Sequence, residues 1–175
     1  MDDKMLKKEF IKYFGIDKWN QEEVLSKLYI EEIFICNLLK VDPIPIIFEN
    51  LENSYAQFNI MEGYITLSNK LMEMGYEKIL ESTIHELRHY MQTCRVLDFP
   101  DEPKYQIWKY EITEKGDPLN IIDYYLSNVE IDAYAFTQVM MEYVYELPYT
   151  KLPKGIQKII NEYKLNNNLF EEIIK

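Results

Sequence analysis

Apolar residues recur at helical spacing between residues 76 and 97, a stretch that contains no glycine or proline. Spacings of four and three residues place them on one face of an α-helix, so the pattern predicts a helix over 76–97 that packs on the core. The apolar stripe consists of Leu80, Ile84, Leu87, Met91 and Cys94. Beside it runs a polar stripe that consists of Glu81, His85, Arg88, His89 and Gln92.

The rest of the pattern predicts a single α+β domain over residues 1–175, mostly helical, with a small antiparallel sheet before the 76–97 helix. Pro43 and Pro45 end the first helical stretch, and short β-branched and apolar runs follow, the last two joined by a turn at Glu62-Gly63. Prolines and a glycine make 98–120 rich in loops. The predicted elements are N-terminal helices over 1–40 (3–14 and 20–39), strands over 44–67, the 76–97 helix, a helix over 128–146 and C-terminal helices over 153–175.

Composition narrows the classes of partner. The 175-residue chain has 19 basic and 30 acidic residues and a formal net charge of −11. Nucleic acid is therefore not an expected partner, because a phosphate-binding surface needs clustered cations. The chain has no apolar run long enough for a membrane span and no secretion signal at its first residues. Two cysteines do not make a disulfide framework, so we expect a cytoplasmic protein.

The two histidines of the chain lie four residues apart, in the sequence His85-Glu86-Leu87-Arg88-His89. On a helix, residues at i and i+4 share a face, so both imidazoles can reach one metal ion. Glu86 then lies beside the metal, where it can take a proton from a bound water molecule. This HExxH spacing is the signature of zinc-dependent peptidases, and the predicted helix is the context that it requires. The alternative is a coincidence on a solvated helix face.

A catalytic zinc site needs a third protein ligand and leaves the fourth position to water. The chain has no third histidine, and Cys36 and Cys94 fit small buried hydrophobic residues better than ligands. A carboxylate remains, and the best candidate is Glu130. Ser127 and Glu130 also fit a capping box that opens the 128–146 helix, so a purely capping role for Glu130 is the alternative.

The HELRH motif, followed about forty residues later by E-x-D-A at residues 130–133, resembles the small glutamate-type zincins. These include compact metallopeptidases of phages and mobile elements and, more distantly, the ImmA/IrrE group. The resemblance runs from about residue 55 to about residue 145. It implies a zincin-like fold and a Zn²⁺ ion held by His85, His89 and Glu130. It further implies Glu86 as the general base, a polypeptide substrate, and an edge strand at 64–67 on which the substrate pairs.

Asp132 is a candidate to orient a ligating histidine through its distal nitrogen. Residues two apart on a helix point about 200° away from each other, so Glu130 and Asp132 cannot both face the metal. A surface or capping role for Asp132 therefore stays open. The candidate donors to a reaction oxyanion are Tyr90, Tyr124, Tyr125, Tyr134 and Arg88.

Two other classes of function stay open beside a zinc-dependent peptidase. One is a non-catalytic zinc-binding protein. The other is an interaction protein of phage or mobile-element origin in which the motif is accidental. An intact Glu86 counts against the first, because zinc binding by itself does not need a base.

Overall fold

The computed structural model describes residues 20–114 and 121–174, and the helix predicted over 3–14 lies outside this part of the chain. The described residues are mostly helical with a small sheet, which confirms the predicted α+β class. The α-helices are α1 (Gln21–Leu39), α2 (Tyr76–Asp98), α3 (Gln106–Thr113), α4 (Ile121–Tyr125), α5 (Asn128–Val139), α6 (Lys154–Asn166) and α7 (Leu169–Ile174). The strands are β1 (Ile46–Glu49), β2 (Ala56–Asn59) and β3 (Tyr64–Ser68).

The sheet is mixed, not wholly antiparallel as predicted. Its order within the described residues is β1-β3-β2. β2 and β3 form the predicted antiparallel hairpin, whereas β1 runs parallel to β3. The prediction failed because β1 pairs with the second strand after it and not with the next one, which the local pattern does not reveal. Since β3 lies in the centre, the expectation that 64–67 forms an edge strand is also wrong, and β2 is the edge strand on its side.

α2 is the central helix of the fold and packs against α1, α5 and the sheet. It begins after Gly75, whose φ of 92° is a conformation that glycine adopts without strain. α1 begins with a capping box in which Asn20 and Glu23 each accept a hydrogen bond from the other's backbone N–H. The core between these elements is fully buried and includes Leu28, Ile35, Ile65, Leu67, Leu80, Ile84, Leu87 and Phe136.

Glu111 caps the N-terminus of α5, and the capping box predicted there is absent. The Ser127 hydroxyl makes no cap hydrogen bond and donates to the carbonyl of Tyr124. The Glu111 carboxylate instead accepts from the backbone N–H groups of Asn128 and Val129, at 3.0 and 2.9 Å. Glu111 belongs to α3, which lies in the segment predicted as loop. The side chain of Glu130 is therefore not needed as a cap.

Beyond Val139, α5 continues into a π-helical turn, Met140–Val144. The N–H of Tyr145 donates to the carbonyl of Met140, five residues earlier. The Tyr145 hydroxyl then donates to the buried carboxylate of Glu31 on α1, at 2.7 Å. The turn thereby connects the end of α5 to α1. Among residues 20–114 and 121–174, no helix is long and apolar enough to span a bilayer.

Substituting Leu28 by Ala should destabilise the protein by about 2–5 kcal/mol, because Leu28 is fully buried between α1 and the rest of the core. Leu165→Ala on α6 is the matched control, since 71% of Leu165 is exposed, and its effect should stay within about 0.5 kcal/mol. Urea unfolding followed by circular dichroism measures both. Equal midpoints for the two variants would contradict the core assignment.

Candidate metal centre

α2 and α5 bring His85, His89 and Glu130 together. Nε2 of His85 lies 3.2 Å from Oε2 of Glu130, and Nε2 of His89 lies 3.2 Å from Oε1 of the same carboxylate. The two Nε2 atoms are 3.1 Å apart. In the described residues this is the group of His, Cys, Asp and Glu side chains whose ligand atoms converge closely enough to hold one metal ion. Glu130, proposed from the sequence as third ligand, thus lies beside both histidines.

One oxygen of Glu130 lacks a hydrogen-bond partner. Oε2 is close to His85 but not in a hydrogen-bonding direction, and no other donor satisfies it among the described residues. The Glu130 side chain is largely buried. A buried carboxylate oxygen without a donor is energetically unfavourable unless a cation or a proton interacts with it. The orientation of this oxygen therefore suits a metal ligand better than a partner in a hydrogen-bonded pair.

Gln92 determines which nitrogen of His89 faces Glu130. The amide Nε2 of Gln92 donates to the carbonyl of Val129 at 2.9 Å and to Oδ2 of Asp132 at 2.7 Å. Its amide oxygen therefore faces Nδ1 of His89, 2.8 Å away. Nδ1 must carry a proton to donate to this oxygen. In a neutral imidazole, Nε2 then presents its lone pair towards Glu130, as a metal ligand must.

Asp132 is buried on the other side of α5 from Glu130, as the helical geometry requires. It accepts from Nε and Nη2 of Arg88 at 2.7 and 2.9 Å and from the hydroxyl of Tyr163 at 3.0 Å. Burial raises the pKa of Asp132, but Arg88 and the hydrogen bonds outweigh burial and lower it. Asp132 thus reaches His89 through Gln92, and the described structure contains no direct contact between them of the kind that the orienting hypothesis proposed. Because Arg88 is used in this pair, it is not positioned as an oxyanion donor.

The electrostatic pairing within the centre is strong. Burial alone lowers the pKa of His89, but the charge and hydrogen bond of Glu130 outweigh it and raise this pKa to about 9. Burial likewise raises the pKa of Glu130, and the two imidazoles reverse that effect and hold it well below its usual range. A metal ion therefore competes with a proton for His89, and its affinity depends on pH.

Glu86 lies in the gap between α2 and β2. Its Oε2 accepts a hydrogen bond from the backbone N–H of Phe58, at 2.8 Å. The Tyr55 carbonyl pairs with β3, and residues of an antiparallel strand alternate between facing the neighbour and facing away. The N–H of Phe58 consequently points to the outer edge of the sheet, where Glu86 meets it. The candidate base is thus held between the metal centre and the edge strand.

Two cavities, which we call the front cavities, open beside the centre. One, of about 600 Å³, is lined by His85, Glu86 and Ala56 of β2, among others. The other, of about 360 Å³, is lined by Glu86, His89 and Glu130. Glu86 borders each of them, so both reach the candidate base. Their volumes suit a small ligand or a few side chains of a larger one.

Two of the candidate oxyanion donors line the front cavities. Tyr124 borders both of them and Tyr134 borders the larger one. Burial, together with the charge of Glu130, raises the pKa of each phenol above its usual range. Both hydroxyls therefore stay protonated at neutral pH and can donate. Tyr90 and Tyr125 do not line either front cavity.

Sequence reasoning missed three groups that shape this centre. Gln92 was recognised only as part of a polar stripe, although its position three residues after His89 on a helix is a signal for contact with that histidine. Glu111 lies within 98–120, which the sequence indicated only as rich in loops. The N–H of Phe58 is a backbone group, and no residue pattern could assign it to Glu86.

No protein-family model matches the chain, and comparison with curated proteins and with solved structures finds no match either. The resemblance to zincins therefore rests on the motif residues of the sequence.

Substituting Gln92 by Leu should weaken zinc binding by about 10–100-fold, because His89 then loses the acceptor that fixes its ring and proton. Competition with a chelating indicator measures the affinity. Gln138→Leu is the matched control, since Gln138 is also buried but bonds to Glu142 and Gln157 and contacts none of the candidate ligands. A Gln92→Leu variant with unchanged zinc affinity would show that Gln92 does not orient His89.

Proposed function

We propose that this protein is a zinc-dependent peptidase of the glutamate-type zincin class. The observation that carries the proposal is the convergence of His85, His89 and Glu130 next to Glu86. A buried carboxylate oxygen without a hydrogen-bond donor is unfavourable in a structural role, and a bound cation would compensate for it. The zincin-like relationship of the fold is part of the same proposal, supported by the α2–α5 arrangement around this centre.

The spacing of the donor atoms fits zinc. Nitrogen and oxygen ligands of tetrahedral zinc lie about 2.0–2.2 Å from the metal, which puts any two of them roughly 3.3 Å apart. Here the two imidazole Nε2 atoms are 3.1 Å apart, each lies 3.2 Å from a different oxygen of Glu130, and the three ligand atoms all lie within 4.8 Å of one another. Two imidazoles and one carboxylate also leave the fourth position to water, as in catalytic zinc sites. Imidazole nitrogen favours zinc over the hard cations magnesium and calcium.

Zinc held by these residues would supply the Lewis acid that activates a water molecule and polarises a peptide carbonyl. Glu86 would take a proton from the attacking water molecule and return it to the leaving nitrogen. Because the N–H of Phe58 holds Oε2, we assign the proton transfer to Oε1 of Glu86. We assign the hydroxyls of Tyr124 and Tyr134 as the donors to the oxyanion, since both tyrosines line the larger front cavity together with Glu86.

The proposed substrate is an extended polypeptide that pairs with the outer edge of β2. Ala56, like Phe58, presents its backbone polar groups away from β3, and it lines both front cavities. A peptide added to this edge would pass beside Glu86. Glu81 in the larger cavity is paired with Lys78, but the carboxylates of Glu86 and Glu111 also line these cavities, which favours neutral or basic segments over acidic ones.

The same proposal places the enzyme in a reducing cytoplasm, without a nucleic-acid or membrane partner. Two cysteines in a chain of this length do not make a disulfide framework, which supports that compartment. The net charge of −11 would repel a phosphate backbone and the anionic surface of a membrane.

Elemental analysis of the purified protein should find about one zinc per chain, and His85→Ala and Glu130→Ala should each retain less than about a tenth of it. Glu142→Ala is the control, since Glu142 is an exposed glutamate just beyond α5. Full retention by Glu130→Ala would remove Glu130 as a ligand. A zinc-supplemented wild type without bound metal would overturn the proposal.

Substituting Glu86 by Gln should leave the zinc content unchanged and slow peptide hydrolysis by about 10²–10⁴-fold, because the amide cannot accept the proton. A pool of quenched fluorescent peptides provides the assay. Glu77→Gln, an exposed position on the same helix, should hydrolyse the pool as the wild type does. Unchanged turnover in Glu86→Gln would exclude this residue as the base, and a zinc-loaded wild type that cleaves nothing would favour the non-catalytic alternative.

A further inference from the structure

A third cavity, of about 780 Å³, lies against another face of α2. From α2 it is lined by Arg88, Met91 and Arg95, whereas His85 and Glu86 border the front cavities. Its other walls come from the end of α1, the chain around α3, α5, and α6 and α7. We call it the back cavity. Its size is in the range of small-molecule sites.

The back cavity is basic in a strongly acidic protein. Lys40, Arg95 and Lys104 line it together with Arg88. Asp132 is the one carboxylate in its described lining, and Arg88 already neutralises it through two hydrogen bonds. The front cavities have the opposite character, since several glutamates line them. A cavity with an excess of cations inside a chain of net charge −11 attracts anions selectively.

The hydrogen bonds within the protein occupy only some of the donor groups of these cationic side chains. Nη2 of Arg95 donates to the carbonyl of Leu39 at the end of α1, at 3.0 Å. No other hydrogen bond of this guanidinium occurs within residues 20–114 and 121–174, so its fork retains donors for a ligand. Lys104 is exposed and lies over the ring of Tyr105, 5.4 Å from its centroid. Lys40 is exposed as well.

Aromatic rings form one wall of the same cavity. Tyr105 and Trp108 are stacked, with centroids 5.5 Å apart and planes at 25°. Phe99 lies next to Tyr105, at 6.3 Å between centroids. Tyr105 and Trp108 are half-buried and line the cavity, so their rings are accessible from it. Such a wall favours a planar ring, because a planar ring can stack on an aromatic side chain.

We propose that the back cavity binds a small organic anion in which a planar ring carries phosphate groups, of the nucleoside diphosphate class. The phosphates bind to Arg95, Lys104 and Lys40, because a guanidinium fork and ammonium groups match phosphate oxygens. The ring stacks on the wall of Tyr105 and Trp108. A ligand with only a ring or only phosphate groups would use one part of the lining, whereas this cavity has both an aromatic wall and cationic side chains. This site is separate from the metal centre and does not depend on peptidase activity.

Isothermal titration calorimetry of the full chain with adenosine diphosphate tests the proposal. Binding should saturate below about 1 mM, and adenosine and pyrophosphate, which each carry half of the ligand, should bind at least about tenfold more weakly.

Arg95→Gln and Lys104→Gln should each weaken adenosine diphosphate binding by about tenfold or more. Lys104 is exposed, so its variant keeps the fold and isolates the loss of charge. Lys151→Gln, an exposed lysine outside the cavity, is the matched control and should bind as the wild type does.

His85→Ala separates this site from phosphate binding at the metal centre. Adenosine diphosphate should bind to this variant as it does to the wild type. Three results would each overturn the proposal: loss of binding in His85→Ala, equal affinity in Lys104→Gln and the wild type, or no binding by the wild type. Adenosine or pyrophosphate binding as tightly as the diphosphate would overturn the combined recognition of ring and phosphate.

Discussion

The buried carboxylate of Asp132 ties α5 to α2, and the geometry of the metal centre depends on that tie. A carboxylate removed from water is strongly unfavourable unless cations and donors surround it. Asp132 meets this condition with hydrogen bonds from Arg88, Gln92 and Tyr163, which belong to two different helices. Because these partners have fixed directions, α5 has one allowed rotation against α2. That rotation turns Glu130 towards the histidines.

The hydrogen bonds of Asp132 also determine which nitrogen of His89, a candidate ligand, carries the proton. The amide of Gln92 is oriented by Asp132 and Val129, and this orientation decides which nitrogen of His89 carries the proton. At the start of α5, Glu111 takes over the capping of the backbone N–H groups. The side chain of Glu130 is therefore available to face the histidines. On α5, Asp132 with its structural hydrogen bonds and the candidate ligand Glu130 thus lie on opposite sides of the helix.

The sequence predicted those parts of the fold and of the candidate site that depend on contacts between residues close together in the chain. The HExxH residues share a helix face through a spacing of four, so their proximity is visible in the sequence. Glu130 was chosen from a resemblance and from the lack of other ligands, and its approach depends on tertiary packing. The parallel pairing of β1 and the capping by Glu111 involve partners at least fifteen residues away. No local pattern contains those contacts, and there the expectations failed.

The π-helical turn Met140–Val144 has a consequence for insertions and deletions. A π turn closes its hydrogen bond over five residues instead of four, so it contains one residue more than an α-helix would need. Deleting one residue there would remove that extra residue and restore α-helical geometry, so the chain beyond the turn would keep its direction about the helix axis. Tyr145 would then still face Glu31. A one-residue deletion within α5 itself would instead rotate Tyr145 by about 100° away from Glu31, so the π-helical turn tolerates a deletion that the α-helix before it does not.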